Sequence, residues 1–165
     1  TGSLEGIRLL QLDENSIKKV SAETKDEKSL KLNNNITSSR ILIVEDGLDN
    51  QRLISFLLKK EGMQVELADN GKIGYEQAMA AAESGQPYDF ILMDCQMPVM
   101  DGYTATEIIR NKSTNQNIKT PIIALTANAF REVKEKCFEY GMDDFATKPI
   151  KQEDLKNVLN RFLNK

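Results

Sequence analysis

Phe90-Ile91-Leu92-Met93-Asp94-Cys95-Gln96-Met97-Pro98 is the stretch on which the fold turns. Four apolar residues run without alternation into a carboxylate, and a loop with Pro98 and Gly102 follows. An unbroken apolar run of this length reads as a strand buried on both faces, as in a parallel sheet covered by helices. Asp94 then stands where burial ends, at the carboxyl edge where open α/β sheets bind ligands. A lone Asp after a strand more often only opens a turn, so the rest of the chain has to decide.

Working outward, runs of the same kind and helical patterns alternate five times from Arg40 onward. Ile41-Leu42-Ile43-Val44 reads as a strand ending in Glu45-Asp46, and Val65 to Ala68 as a second strand. Ile122-Ile123-Ala124-Leu125 is a further strand ending at Thr126, and Phe145-Ala146-Thr147 a short last one leading into Lys148-Pro149. Between them, Leu53, Ile54, Leu57 and Leu58 recur at helical spacing before Gly62, and a helix over residues 72–84 has Asn70 as N-cap and Gly85 as stop. Residues 103–111 continue as a helix, Phe130, Val133 and Cys137 mark one face of the next, which Gly141 closes, and Leu155, Val158, Leu159 and Phe162 form the inner stripe of the last.

Five strand–helix alternations call for right-handed crossovers and an α/β, doubly wound, five-stranded parallel sheet. The strand order 2-1-3-4-5 is taken by analogy with flavodoxin-like sheets. In that architecture Glu45, Asp46, Asp94, Thr126 and Lys148 all fall on one rim. Residues 1–39 differ: scattered apolar residues, the polar run Ser21 to Lys28 and Asn33-Asn34-Asn35 have the composition of a largely flexible linker. The expected organisation is therefore a linker over 1–39 and one folded domain over 40–165.

Composition removes several classes of function. A net charge of −3 and a pI near 5.2 give no basic footprint for nucleic acid. No apolar run approaches the ~20 residues needed to span a bilayer and no secretory leader is visible, so a cytoplasmic location is expected, with any membrane anchor elsewhere in a parent protein. With no histidine in 165 residues, His triads, His bases and an internal phosphohistidine are excluded. Cys95 and Cys137 have neither CxxC spacing nor a His beside them. Zinc and redox-pair readings are therefore weak, and buried free thiols are the expectation.

Three carboxylates gathered at one rim repel by about 4 kcal/mol per close pair at an effective dielectric near 20. Either a cation sits among them or some are protonated. Hard oxygen ligands suit Mg²⁺, which keeps waters and leaves room for a phosphate oxygen. Lys148 adds a compact ammonium, Thr126 a hydroxyl, and a carboxylate can itself be the nucleophile that forms an aspartyl phosphate. Taken singly, Glu45-Asp46 could cap a helix, Thr126 could bond backbone, and Lys148 could be solvated. An X-Pro bond such as Lys148-Pro149 is the kind that adopts cis in a tight turn.

Ile41 to Asp46, Met93 to Gly102, Ala124 to Ala129 and Lys148-Pro149-Ile150 together resemble the receiver domain of two-component response regulators, most of all receivers of hybrid sensor histidine kinases. The resemblance covers about Arg40 to Lys165. It implies that Asp94 is the phosphoacceptor, that Glu45, Asp46 and Asp94 hold Mg²⁺ with the Gln96 backbone carbonyl, and that Lys148 pairs with the phosphoryl group. Thr126 would swing toward that group and Phe145 would be the aromatic switch. Gln96 and Asn128 would flank the path of an attacking water. Glu45 replaces the commoner Asp, and Gly47 stands where Asn is frequent, while Asn50 and Gln51 fit the pattern.

The phosphodonor must lie outside a histidine-free chain, so a kinase core, a histidine-phosphotransfer protein or both are the expected partners. Such a domain promotes only its own phosphorylation and dephosphorylation. Residues 1–39 are read as the tether from a kinase's catalytic domain. Ending at Lys165 without a DNA-binding module, the chain is expected to signal through protein contacts, with weak self-association left open. Two rivals remain. A flavodoxin-like cofactor binder is disfavoured because Glu45 to Asn50 would repel a phosphate unless a cation intervened. The other is a receiver-like interaction module that is never phosphorylated.

Overall fold

A computed structural model describes residues 38–112 and 119–163. The expectation of a linker over 1–39 therefore lies almost entirely outside the described residues. In chain order the elements are β1 (Arg40–Val44), α1 (Leu48–Lys60), β2 (Gln64–Ala68), α2 (Gly71–Glu83), β3 (Phe90–Asp94), α3 (Gly102–Lys112), β4 (Ile122–Thr126), α4 (Arg131–Glu139), β5 (Asp144–Thr147) and α5 (Gln152–Leu163). All strand pairs are parallel and the sheet runs β2-β1-β3-β4-β5, the order the sequence suggested.

The unbroken apolar runs are explained by cover on both faces. Every residue of β3 and β4 is buried, as are Ile41 to Val44 of β1. On one face Leu42, Val44, Ile91, Met93, Ile122 and Ala124 join Ala78 and Ala81 of α2, Ala105 and Ile109 of α3 and Cys137 of α4 in one cluster. Toward the other, Phe90 meets Phe162 of α5 edge-on at 6.5 Å between centroids, and Lys156 of α5 reaches Glu61 beyond α1 at 3.2 Å. Each fully buried aliphatic contributes about 1.5–3 kcal/mol by leaving water. β2 is an edge strand and mostly exposed, which is why its apolar content is lower.

The helix boundaries follow local chemistry. Asn70 Oδ1 accepts the Ile73 N–H at 2.9 Å and caps α2. Gly62, Gly85 and Gly141 follow three helices with φ of 89°, 82° and 104°, the left-handed turn that ends a helix. Two sequence expectations are corrected. Phe130 is the N-cap of α4 and is exposed, because its extended backbone turns it out of the face that Cys137 holds inward. Leu53 is 41% exposed, since the buried stripe of α1 is Gln51, Ile54, Ser55, Leu57 and Leu58.

Candidate functional site

Parallel register builds the site. Val44 pairs with Met93, so the next residue of each strand, Glu45 and Asp94, emerges side by side between β1 and β3. This is where the strand order reverses, the position at which doubly wound sheets open a crevice. Thr126 pairs with Thr147, which brings Lys148 to the same rim one residue later. Lys148 Nζ lies 3.0 Å from Glu45 Oε1 and 2.8 Å from Asp94 Oδ2, and the Lys148-Pro149 bond is cis. All five rim residues named from sequence are thus brought together, and Asp46, Asp94, Gln96, Thr126, Asn128 and Lys148 line a cavity of about 160 Å³.

The charge balance is uneven. Glu45 and Asp94 are 0% and 3% exposed, and neither Glu45 Oε1 nor Asp94 Oδ2 has a well-angled hydrogen-bond donor; the charge of the nearby ammonium is what compensates them. Burial first, then the neighbouring Glu45, pushes Asp94 up to about 7 against the pull of Lys148. Burial also works against ionising Glu45, but its contacts with Asp94 and Lys148 win and bring it down to about 2. The two act as one dyad that retains a proton close to neutral pH. Oxygens of Glu45, Asp46 and Asp94 all come within 4.8 Å of one another, an all-oxygen donor set that suits a hard divalent cation.

Other site residues have defined local roles. The Gln96 N–H donates to Asp94 Oδ1 at 3.2 Å and so turns the carboxylate. Thr126 is buried and its hydroxyl donates to the Asn128 carbonyl at 2.5 Å. Phe145 is half-buried on β5, with Lys134 of α4 4.8 Å over its ring. Gly102 is required by close approach: a Cβ there would stand 2.0 Å from the Asp94 carbonyl oxygen. Gly47 serves as N-cap of α1 without a side-chain acceptor.

Sequence reading named Gln51 only as fitting the family pattern and gave it no role. It is buried, and its amide donates to the Glu45 carbonyl at 2.6 Å and to Asp69 Oδ1 at 2.9 Å, fixing the acidic loop. Its position was available from spacing, since Gln51, Ile54, Ser55 and Leu58 share one helical face. Tyr103 and Cys95, which also line the cavity, carried no such signal.

With this geometry in view, comparison with known proteins places the molecule in a class. The chain belongs to the response regulator receiver domain family, whose model matches residues 41–160. It is 41% identical over 121 residues to hybrid signal transduction histidine kinase I of Dictyostelium discoideum and 42% identical over 122 residues to the signal transduction histidine-protein kinase BarA of Escherichia coli. Those matches take in 73% and 74% of this chain but only 7% and 12% of the relatives' length.

Solved receiver domains share the fold. One from a Pseudomonas aeruginosa sensor histidine kinase, with a magnesium ion coordinated in its active-site cleft, is 43% identical with a TM-score of 0.66, covering 78% of this chain and 99% of that one. The receiver domain of an Arabidopsis thaliana histidine kinase, complexed with Mg²⁺ and BeF₃⁻, is 35% identical with a TM-score of 0.68 over 77% and 91% of the two chains. A Saccharomyces cerevisiae receiver domain in complex with the histidine phosphotransfer protein Ypd1 is 29% identical with a TM-score of 0.66 over 76% and 88%. Among the described residues, no helix is long and apolar enough to cross a membrane.

Proposed function

We propose that this domain accepts a phosphoryl group on Asp94 from a phosphohistidine on another domain or protein. The observation that carries the reading is the buried Glu45–Asp94 pair facing one lysine, with Asp46 completing an acidic set that the protein's own charges do not balance. Glu45, Asp46 and Asp94, with the Gln96 carbonyl, are the residues that would hold Mg²⁺. A bound Mg²⁺ would supply positive charge that steadies both the ionised carboxylates and an incoming phosphoryl group. Ionised Asp94 attacks phosphorus, an O–P bond forms as the donor's N–P bond breaks, and the imidazole leaves with the pair of electrons. Lys148 is placed to pair with the transferred oxygens.

The Thr126 hydroxyl, now on the Asn128 carbonyl, would turn to a phosphoryl oxygen on Asp94. Phe145, half-buried against α4, is the ring that would follow it inward. Such a coupling carries the change from the rim to the α4–β5 face. Beside the rim, the exposed Leu48 and Phe56 of α1 and Leu67 of β2, 64%, 62% and 41% accessible, offer apolar surface for a docking donor. That the relatives are hybrid histidine kinases and that a neighbour is bound to Ypd1 support a kinase core or a histidine-phosphotransfer protein as that donor; residues 1–39 would be the tether and the location cytoplasmic.

The test is mass mapping of the chain after incubation with a phosphorylated histidine donor and Mg²⁺. One phosphoryl group on the peptide bearing Asp94, absent when Mg²⁺ is chelated before the donor is added and absent in Asp94→Asn, is expected. Full interaction with the donor but no label would favour the module that signals without phosphorylation.

A further inference from the structure

Behind the acidic cavity lies a thiol pair that the proposed function does not use. Cys95 is the residue after β3 and Cys137 is on α4, 42 positions later, yet their sulfurs are 4.0 Å apart and both are free thiols. Cys95 is held firmly: its N–H donates to the Leu125 carbonyl and its carbonyl accepts the Gly102 N–H, each at 3.1 Å. Cys95, itself only 3% exposed, is among the residues lining the cavity next to Asp94 and Tyr103, whereas Cys137 is 0% exposed and is not. A small uncharged molecule entering the cavity therefore comes to Cys95 before Cys137, whose sulfur is 4.0 Å from that of Cys95.

We propose that Cys95 and Cys137 are an oxidisable pair that a hydroperoxide converts to an intramolecular disulfide, pinning α4 to the end of β3 and slowing phosphorylation of Asp94; the second half of this rests on the phosphoacceptor reading. The Cys95 sulfur attacks one oxygen of hydrogen peroxide; an S–O bond forms as the O–O bond breaks, giving a sulfenic acid, and the thiol proton leaves with the departing hydroxide as water. The Cys137 sulfur then attacks Cys95, the S–S bond forms, the S–O bond breaks and a second water leaves. Two thiols are oxidised by two electrons and one peroxide is reduced to water.

A disulfide needs about 2.05 Å between sulfurs, so the pair must close by about 2 Å, through side-chain rotation and a small inward shift of α4. That shift would act on the segment between Thr126 and α4, whose Asn128 carbonyl holds the Thr126 hydroxyl. A dithiol reductant would reverse it.

The experiment treats the full chain with hydrogen peroxide, quenches with catalase, and alkylates the unfolded protein with N-ethylmaleimide. Expected is a monomer that takes up no maleimide, a cross-linked peptide pair joining Cys95 to Cys137, and recovery of both thiols with dithiothreitol. In Cys137→Ser a dimedone-trappable sulfenic acid should accumulate at Cys95, and in Cys95→Ser the remaining thiol should oxidise at least tenfold more slowly. Two reactive thiols after peroxide, a disulfide-linked dimer, or equal oxidation of Cys137 without Cys95 would overturn the pair. Oxidised wild-type chain should label with a small acyl phosphate and Mg²⁺ about tenfold more slowly than reduced chain, and equal labelling would overturn the regulatory half. Absence of label in the reduced chain would count against the phosphoacceptor reading and leave the disulfide result standing.

Discussion

At the end of the sheet where the strands begin, each arginine is matched: Arg40 reaches Glu66 at 2.7 Å and the Gln86 carbonyl, and Arg110 reaches Asp143 at 2.8 Å with the carbonyls of Thr120 and Gly141. At the end where they finish, one ammonium stands among three carboxylates. The first rim ties α3 to the starts of β4 and β5, and the arginine satisfies every group it was placed for. The second gathers three carboxylates, two buried and one exposed, around a single lysine, and burying the pair is a cost to stability. Charge that the fold needs is neutralised by the fold; charge left over points to something that comes and goes.

That contrast can be broken most severely at the matched rim. Arg110→Met should destabilise the chain by about 3 kcal/mol, because it strips donors from two carbonyls and a partner from Asp143. A urea-denaturation midpoint reads this directly, and a change within a few tenths of a kcal/mol would dissolve the distinction between the rims.

At the unmatched rim the sign reverses. Asp94→Asn should abolish phosphorylation yet stabilise the metal-free chain by about 1 kcal/mol, since a neutral amide relieves the buried dyad. The pH dependence follows. Asp94 sits up at about 7 against an ordinary 3.8, so the folded chain keeps a proton that the unfolded chain has released. The stability this confers is full below about 3.8 and is lost as pH rises through about 7. Glu45, lowered from 4.5 to about 2, contributes stability that is full above about 4.5 and is lost as pH falls from there through about 2. Between about 4.5 and 7 the wild-type chain should therefore lose stability with rising pH in the absence of divalent cation, and the curve of Asp94→Asn should be flatter. Parallel curves would contradict the shared proton.

The smallest effect concerns a residue that sets the entry to the acidic loop. Gly47 caps α1 with φ of −84°, and a Cβ there meets nothing closer than 3.4 Å. Gly47→Asn should add a side-chain cap and stabilise the chain by a few tenths of a kcal/mol without changing phosphorylation. A loss of stability would mean that the loop depends on glycine for another reason.

Much of this was legible in the sequence because the relevant signals are local. Strands covered on both faces read as unbroken apolar runs, and their last residues fall on the rim by necessity, which brought Glu45, Asp46, Asp94, Thr126 and Lys148 together. Helix ends were marked by Asn70, Gly62, Gly85 and Gly141. What escaped depends on tertiary placement. Phe130 has the spacing of an inner-face residue but caps its helix in extended conformation, and Leu53 lies beside the buried stripe of α1 rather than in it. The approach of Cys95 to Cys137 needs α4 to lie over the end of β3, which no periodicity states. Nor could the sequence say that Glu45 and Asp94 share a proton, since that follows from burial and a distance.

The account is tested most directly by a magnesium titration of the full chain at a pH above that of Asp94, followed by backbone amide NMR. A single saturable site shifting residues 45, 46, 94 and 96, weakened at least tenfold in Asp46→Asn, about 1.4 kcal/mol, is the predicted result. No saturable shifts at the rim, or equal affinity in the variant, would contradict the claim that this excess of carboxylates exists to seat a cation.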